Sequence, residues 1–236
     1  IDTAYCKERG IEVINFPGFN ARAVAEASFT YLLSLVRHAP QAWQNVLGGG
    51  WNTFVFQGNE LSGKTIGVVG AGNVGTEVIK IAHGFGMRVL AHTKNPSAER
   101  AQSLGIDSFS DMPTLLKESD FVMLVVPANA DTKDFISKKE LSLMKKSAYL
   151  INVGRWQVVD TLALAEAIYE RTIAGAGLDF IGPEPYNVLA ADLRIQEMVN
   201  SPNVLLFPHI AFNTHEANLR LGERVIRTLK ERIKSA

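Results

Sequence analysis

The sequence predicts an α/β fold, an open and doubly wound parallel sheet with helices on both faces. Three observations carry that reading. From Leu61 onward, strand-like runs alternate with helical ones, the pattern of parallel strands joined by crossover helices. Several strand runs are apolar without interruption, such as Phe121-Val122-Met123-Leu124-Val125-Val126, as strands covered on both faces must be. The stretch Thr65 to Gly75, TIGVVGAGNVG, passes from β-branched residues through a glycine turn into an amphipathic segment.

Taken in order, Ile1 to Ile14 reads as a short helix, Gly10, and a strand Ile11-Glu12-Val13-Ile14. Asn15-Phe16-Pro17-Gly18 breaks the pattern and resembles a hinge. Asn20 stands where an N-cap belongs, ahead of a helix from Ala21 to Arg37. That helix is apolar on more than one face, so it is buried on several sides: between domains, against a second subunit, or inside one core. Gly48-Gly49-Gly50 marks a loop anchored by Trp51 and Phe54. Strands are expected at 65–69, 88–91, 121–126, 147–152, 173–178 and 203–207, and helices at 74–83, 97–104, 112–118, 138–144 and 161–169. Asp111 and Asp160 sit at N-cap positions, and Thr214 to Lys234 reads as a last amphipathic helix.

Composition excludes several function classes. The formal net charge is zero, which argues against nucleic acid or an anionic membrane as a partner. No run approaches the roughly 20 apolar residues of a membrane span. Cys6 is the single cysteine, so no internal disulfide or cysteine-rich metal site forms, and the spacing of His38, His83, His92 and His215 gives none either. No signal-like segment opens the chain, which makes the cytoplasm the default location.

The glycine turn names a ligand. Gly70, Gly72 and Gly75 form GxGxxG between a strand and a helix, the context of a Rossmann dinucleotide-binding fingerprint. Gly70 permits the tight turn, Gly72 admits a pyrophosphate, and Gly75 allows close helix–strand packing. Asn73 and Val74 open the helix whose N-terminus faces the phosphates. Ligands of such sheets bind beyond the carboxyl ends of the strands, so residues just after each strand are the informative ones. These include Pro127 and Asn129, then Asn152, Val153 and Arg155, then Asp179 with Glu184 and Pro185, then Pro208 and His209. A cation, a carboxylate and an imidazole beside a dinucleotide point to hydride transfer coupled to proton transfer.

On these stretches the chain resembles the D-isomer-specific 2-hydroxyacid dehydrogenases, a family that includes phosphoglycerate dehydrogenases and glyoxylate/hydroxypyruvate reductases. The matching segments are GIEVINFPGFNARAVAE, LSGKTIGVVGAGNVG, MKKSAYLINVGRWQVVD, IAGAGLDFIGPEP and NVLLFPHI. The resemblance implies that Arg155 grips the carboxylate and keto oxygen of a 2-keto or 2-hydroxy acid. It makes His209 the proton donor and acceptor, Glu184 its partner, and Asp179 a neighbour of the nicotinamide carboxamide. Thr93 and Lys94 end the second strand where a NAD-preferring fold carries Asp or Glu, so the cofactor is NAD or NADP with NADP favoured. Trp156 and Phe212 replace the small residues usual in the family and bear on the substrate. The family dimerises through its cofactor domains, which suits a homodimer built on the helix at 21–37.

The resemblance also sets expectations for the domains. Residues 1–18 would be a remnant of a substrate domain and its hinge, 19–212 the dinucleotide-binding domain, and 213–236 a helix returning toward the substrate domain. The family's substrate domain precedes this point, and the first residue is Ile1, so the chain reads as a fragment that binds dinucleotide but turns over little alone. The alternative function is a dinucleotide-sensing module of the co-repressor type, which retains the fold without the reaction.

Overall fold

The computed structural model describes residues 1–183, 187 and 192–235. Six parallel strands form one sheet: β1 (Thr65–Val69), β2 (Arg88–His92), β3 (Phe121–Leu124), β4 (Tyr149–Asn152), β5 (Gly175–Leu178) and β6 (Val204–Leu206). Their order is β2-β1-β3-β4-β5-β6, so the chain reverses its direction of winding between β1 and β3. A crevice opens at such a reversal. The register places His92, Val69, Leu124, Asn152, Leu178 and Leu206 in one row across the carboxyl edge.

Two helical layers cover the sheet because alternate strand residues point to opposite faces, and both sets are apolar. On one face α2 (Ala21–Val36) and α4 (Asn73–Gly84) pack over Ile66, Val68, Met123 and Ile151. On the other, α6 (Met112–Glu118), α7 (Lys138–Leu143), α8 (Thr161–Tyr169) and α9 (Leu193–Val199) enclose Val122, Leu124, Leu150 and Leu178. The chain also forms α1 (Thr3–Glu8), α3 (Ala39–Leu47), α5 (Ala98–Ser103) and α10 (His215–Ser235). Asp111 and Asp160 cap α6 and α8 as their positions indicate, accepting from the Thr114 amide at 2.8 Å and from the Leu162 and Ala163 amides at 3.0 Å.

Helix α2 is a core helix of the sheet, with Leu32, Leu35 and Val36 buried. It is not apolar all round: Arg22, Glu26 and Thr30 form an exposed stripe at helical spacing, with Arg22 Nε on Glu26 Oε1 at 2.6 Å. Four local expectations are corrected. Trp51 and Phe54 do not anchor the loop at 48–50, since they are 86% and 92% exposed. Ile11–Ile14 forms no strand, since no edge lies alongside to pair with it, and its residues are exposed. Asn20 precedes α2 without a side-chain capping bond, its backbone lying near φ −106° and ψ 6° rather than in the extended region a cap prefers. Strand β3 ends at Leu124, two residues early, because Val125 and Val126 turn into the crevice wall.

The amino edge is tied by Asp120, whose carboxylate accepts from the Thr65 amide and from Lys145 Nζ, both at 2.9 Å. Burial pushes this carboxyl up, but Lys145 and the Thr65 amide outweigh it and hold it below the usual carboxylate range. A depressed carboxyl stabilises the fold above its unfolded value, about 3.9, and that contribution fades as pH falls through the lower folded value. Asp120→Asn is therefore expected to cost about 1 kcal/mol at pH 7, after solvent screening. Urea titrations should show the gap between wild type and variant closing below about pH 4.

Candidate active site

Backbone hydrogen bonds continue past the strand ends and sew the carboxyl edge into one rim. The Gly70 amide donates to His92 O at 2.9 Å, Val125 to Val69 O at 3.0 Å, and Val153 to Leu124 O at 3.3 Å. Asp179 donates to Asn152 O at 3.0 Å, Phe207 to Leu178 O at 2.8 Å, and His209 to Asp179 O at 2.6 Å. Every strand that carries a sequence-predicted residue thus joins this rim. Arg155 and His209 leave it two strands apart, about 10 Å at ordinary strand spacing.

The glycine turn is built by steric necessity at two positions. Gly70 has φ +105°, and a Cβ there would lie 2.8 Å from Val126 Cγ1. A Cβ on Gly75 would fall far inside contact distance of Gly70 O and 2.9 Å from Gly70 C, so the helix start rests on the turn itself. Gly72 differs: a Cβ there would meet nothing within 4 Å. It caps α4 without a side chain, leaving the first helical N–H groups, from Asn73, Val74 and Gly75, aimed at open space. These groups fit a bound pyrophosphate. Asn73 also borders Gly18, where a Cβ would lie 2.7 Å from Asn73 Nδ2.

Beyond β2, Thr93 is half-buried and Lys94 is exposed. Lys94 Nζ pairs with Asp131 Oδ2 at 2.7 Å, which raises the lysine pKa and lowers that of the aspartate. Pro127 and Asn129 lie exposed beyond β3, and the Asn129 side chain folds its own loop by accepting from the Asp131 and Thr132 amides. One residue that sequence reasoning passed over is Arg100, half-buried on α5, which donates to the Ala71 carbonyl inside the glycine turn. Its only signal is a basic residue one helix beyond β2.

Beyond β4, Asn152 is 2% exposed and shapes the next turn, accepting from the Gly154 amide at 3.1 Å and donating to Arg155 O at 3.0 Å. Val153 is buried, whereas Arg155 is exposed, with one guanidinium N–H donating to Gly154 O at 2.8 Å. Trp156 begins a short 3-10 turn and is half-buried.

Beyond β6, His209 occupies the left-handed region at φ 54°, a conformation worth roughly 1–3 kcal/mol of strain for a residue with a side chain. Its ring lies 4.6 Å from Phe180 and 5.3 Å, edge-on, from Phe212. Asp179 is 1% exposed, and its carboxylate accepts from Tyr31 Oη at 2.8 Å, from the Ile210 amide at 3.0 Å and from the Ala211 amide at 3.2 Å. Tyr31 is the second residue that sequence reasoning missed; its signal was a hydroxyl inside an apolar helix stripe. Glu184 and Pro185 lie outside the described residues. No cluster of three or more His, Cys, Asp or Glu side chains suited to a metal occurs among the described residues, and no helix there is long and apolar enough to cross a membrane. A cavity of about 850 Å³ lies at the opposite edge, between α8 and α9 beside Arg171 and Asn203, away from this rim.

Known proteins repeat this architecture. The family model described as D-isomer specific 2-hydroxyacid dehydrogenase, NAD binding domain, matches residues 29–211. A glyoxylate reductase of Thermococcus litoralis is 41% identical, over 97% of this chain and 69% of its own length. The crystal structure of a D-lactate dehydrogenase from Aquifex aeolicus, complexed with NAD and lactic acid, superposes with a TM-score of 0.89 at 33% identity, covering all of this chain and 73% of that one. An acyclic imino acid reductase in complex with NADPH and D-Arg gives 0.86 at 32% identity, over 100% and 72%. The chain belongs to the D-isomer-specific 2-hydroxyacid dehydrogenases, oxidoreductases that use a nicotinamide dinucleotide, and residues 29–211 carry the NAD-binding domain of that family.

Proposed function

We propose that the chain serves the reduction of a small 2-keto acid of the glyoxylate and hydroxypyruvate class to its 2-hydroxy acid, the D isomer where that product is chiral, with NADP as the preferred dinucleotide. The observation that carries this reading is the rim itself, on which Arg155 and His209 stand two strands apart, continuous with the glycine turn. When bound, the nicotinamide supplies or takes up the hydride at the carbon that bears the oxygen. The turn at Gly70–Gly75 holds the pyrophosphate, with Pro127, Asn129 and Val153 bordering the dinucleotide. Arg155 holds the substrate carboxylate and keto oxygen through its forked donors and stabilises charge developing on that oxygen. His209, protonated, gives its proton to the oxygen and takes it back in the reverse direction. Glu184 is its partner by resemblance. The rings of Phe180 and Phe212 pack against the half-buried imidazole and fix its orientation.

The preference for NADP rests on Thr93 and Lys94, which end the second strand without the Asp or Glu that binds a ribose 2′-hydroxyl, although Asp131 reaches Lys94 from the loop beyond β3. Lys94 would exchange Asp131 for that phosphate. A homodimer is part of the same proposal: Trp43, Leu47, Trp51 and Phe54, on α3 and the loop after it, are 62%, 63%, 86% and 92% exposed, an apolar surface that a second copy would cover.

Fluorescence titration with NADPH and NADH, followed by rate assays on glyoxylate, hydroxypyruvate and pyruvate, tests the reading. NADPH is expected to bind more tightly, and glyoxylate and hydroxypyruvate to be reduced. NADH binding tenfold tighter than NADPH would overturn the cofactor preference. In a full-length version carrying the family's substrate domain, tight dinucleotide binding without turnover of any 2-keto acid would instead favour the dinucleotide-sensing alternative.

A further inference from the structure

We infer that Tyr31 is a positioning residue for His209, acting from α2 through the Asp179 carboxylate; this rests on the role proposed above for His209. The segment that presents the imidazole is gripped on one side by Tyr31 and on the other by Asp179, two buried side chains joined by a hydrogen bond. Before His209, the Tyr31 ring stacks on Phe207 with centroids 4.0 Å apart and an interplanar angle of 7°. After His209, the amides of Ile210 and Ala211 both donate to Asp179, whose Oδ1 also accepts from Tyr31 Oη at 2.8 Å. The Asp179 carbonyl completes the grip on the His209 amide at 2.6 Å.

Each part of this clamp has a physical reason to exist. A carboxyl group 1% exposed needs hydrogen-bond partners inside the protein, and here two are backbone N–H groups and the third is the phenol. Tyr31 is itself 2% exposed, so its hydroxyl needs an acceptor inside the protein. Burial first, and Asp179 second, push the phenol pKa well above its ordinary range, so it remains a donor throughout the working pH range. Gly177 on β5 makes the approach possible, since a Cβ there would lie 3.1 Å from Tyr31 Cβ. The left-handed backbone of His209 is thus held by contacts that include a helix 148 residues earlier than Asp179 in the chain.

Tyr31→Phe keeps the ring on Phe207 and removes only the hydroxyl. Amide hydrogen exchange on the 236-residue chain is the primary measurement, because it does not depend on activity. Exchange at Ile210 and Ala211 is expected to quicken at least tenfold, with the Leu178 amide of β5 unchanged. In rate assays kcat is expected to fall about tenfold while the dinucleotide Kd stays within twofold. In an Asp179→Asn background, Tyr31→Phe should add less to exchange at 210 and 211 than it does alone, since the hydroxyl acts through that carboxylate. Unchanged exchange at 210 and 211, a uniform rise that includes β5, additive losses, or full kcat in the variant would each overturn the inference. If a full-length wild type carrying the substrate domain reduces no 2-keto acid, the function proposed above fails, while exchange at 210 and 211 in the 236-residue chain still decides whether Tyr31 holds the His209 segment.

Discussion

His209→Ala is expected to lower kcat by about 10²- to 10⁴-fold, the usual worth of a positioned general acid, with dinucleotide affinity retained. The separation follows from topology. The glycine turn leaves β1, and His209 leaves β6, four strand spacings away, on the order of 19 Å. Removing the imidazole therefore leaves the phosphate-binding helix start intact. Alanine at φ 54° carries its own strain, so His209→Asn is the companion variant, because asparagine accepts the left-handed region more readily. Both variants should be inactive by rate assay and bind NADPH as wild type does. Activity in the asparagine form would assign the alanine defect to backbone strain and remove His209 from proton transfer.

Gly75→Ala is expected to be the most damaging change in the turn. Its Cβ would be driven into the Gly70 carbonyl, which is backbone and has no rotamer through which to yield. A loss of about 3 kcal/mol in urea unfolding is expected, with dinucleotide affinity down at least tenfold as α4 lifts from the turn. Gly72→Ala gives the opposite separation. Nothing lies within 4 Å of its Cβ, so the fold should keep its stability within about 0.5 kcal/mol while the methyl group blocks the approach of a pyrophosphate. Equal stability loss in the two variants would show that the turn is merely a structural corner.

How far these features were legible depends on how local their causes are. The sheet and its helices were readable because period and breakers are written into short windows, as in Thr65–Gly75 and Phe121–Val126. Arg155 and His209 were readable as rim residues because a parallel sheet sends every strand end to the same edge. The Tyr31–Asp179 bond was not, since it joins residues 148 apart that meet only after α2 lies down on β5. Ile11–Ile14 shows the reverse failure. Its composition suits a strand, but strand formation needs a neighbouring edge, which no local pattern supplies. Helices α3 and α9 escaped because they are short, nine and seven residues, too few turns for a helical period to show in the sequence.

The two ends of the polypeptide are fastened to each other. Arg220 Nε donates to Phe19 O and Arg224 to Pro17 O, both at 2.8 Å, and Arg232 pairs with Glu12. These contacts tie residues 12–19 to α10, so removing Arg220 or Arg224 is expected to loosen both segments together, read as faster amide exchange in each.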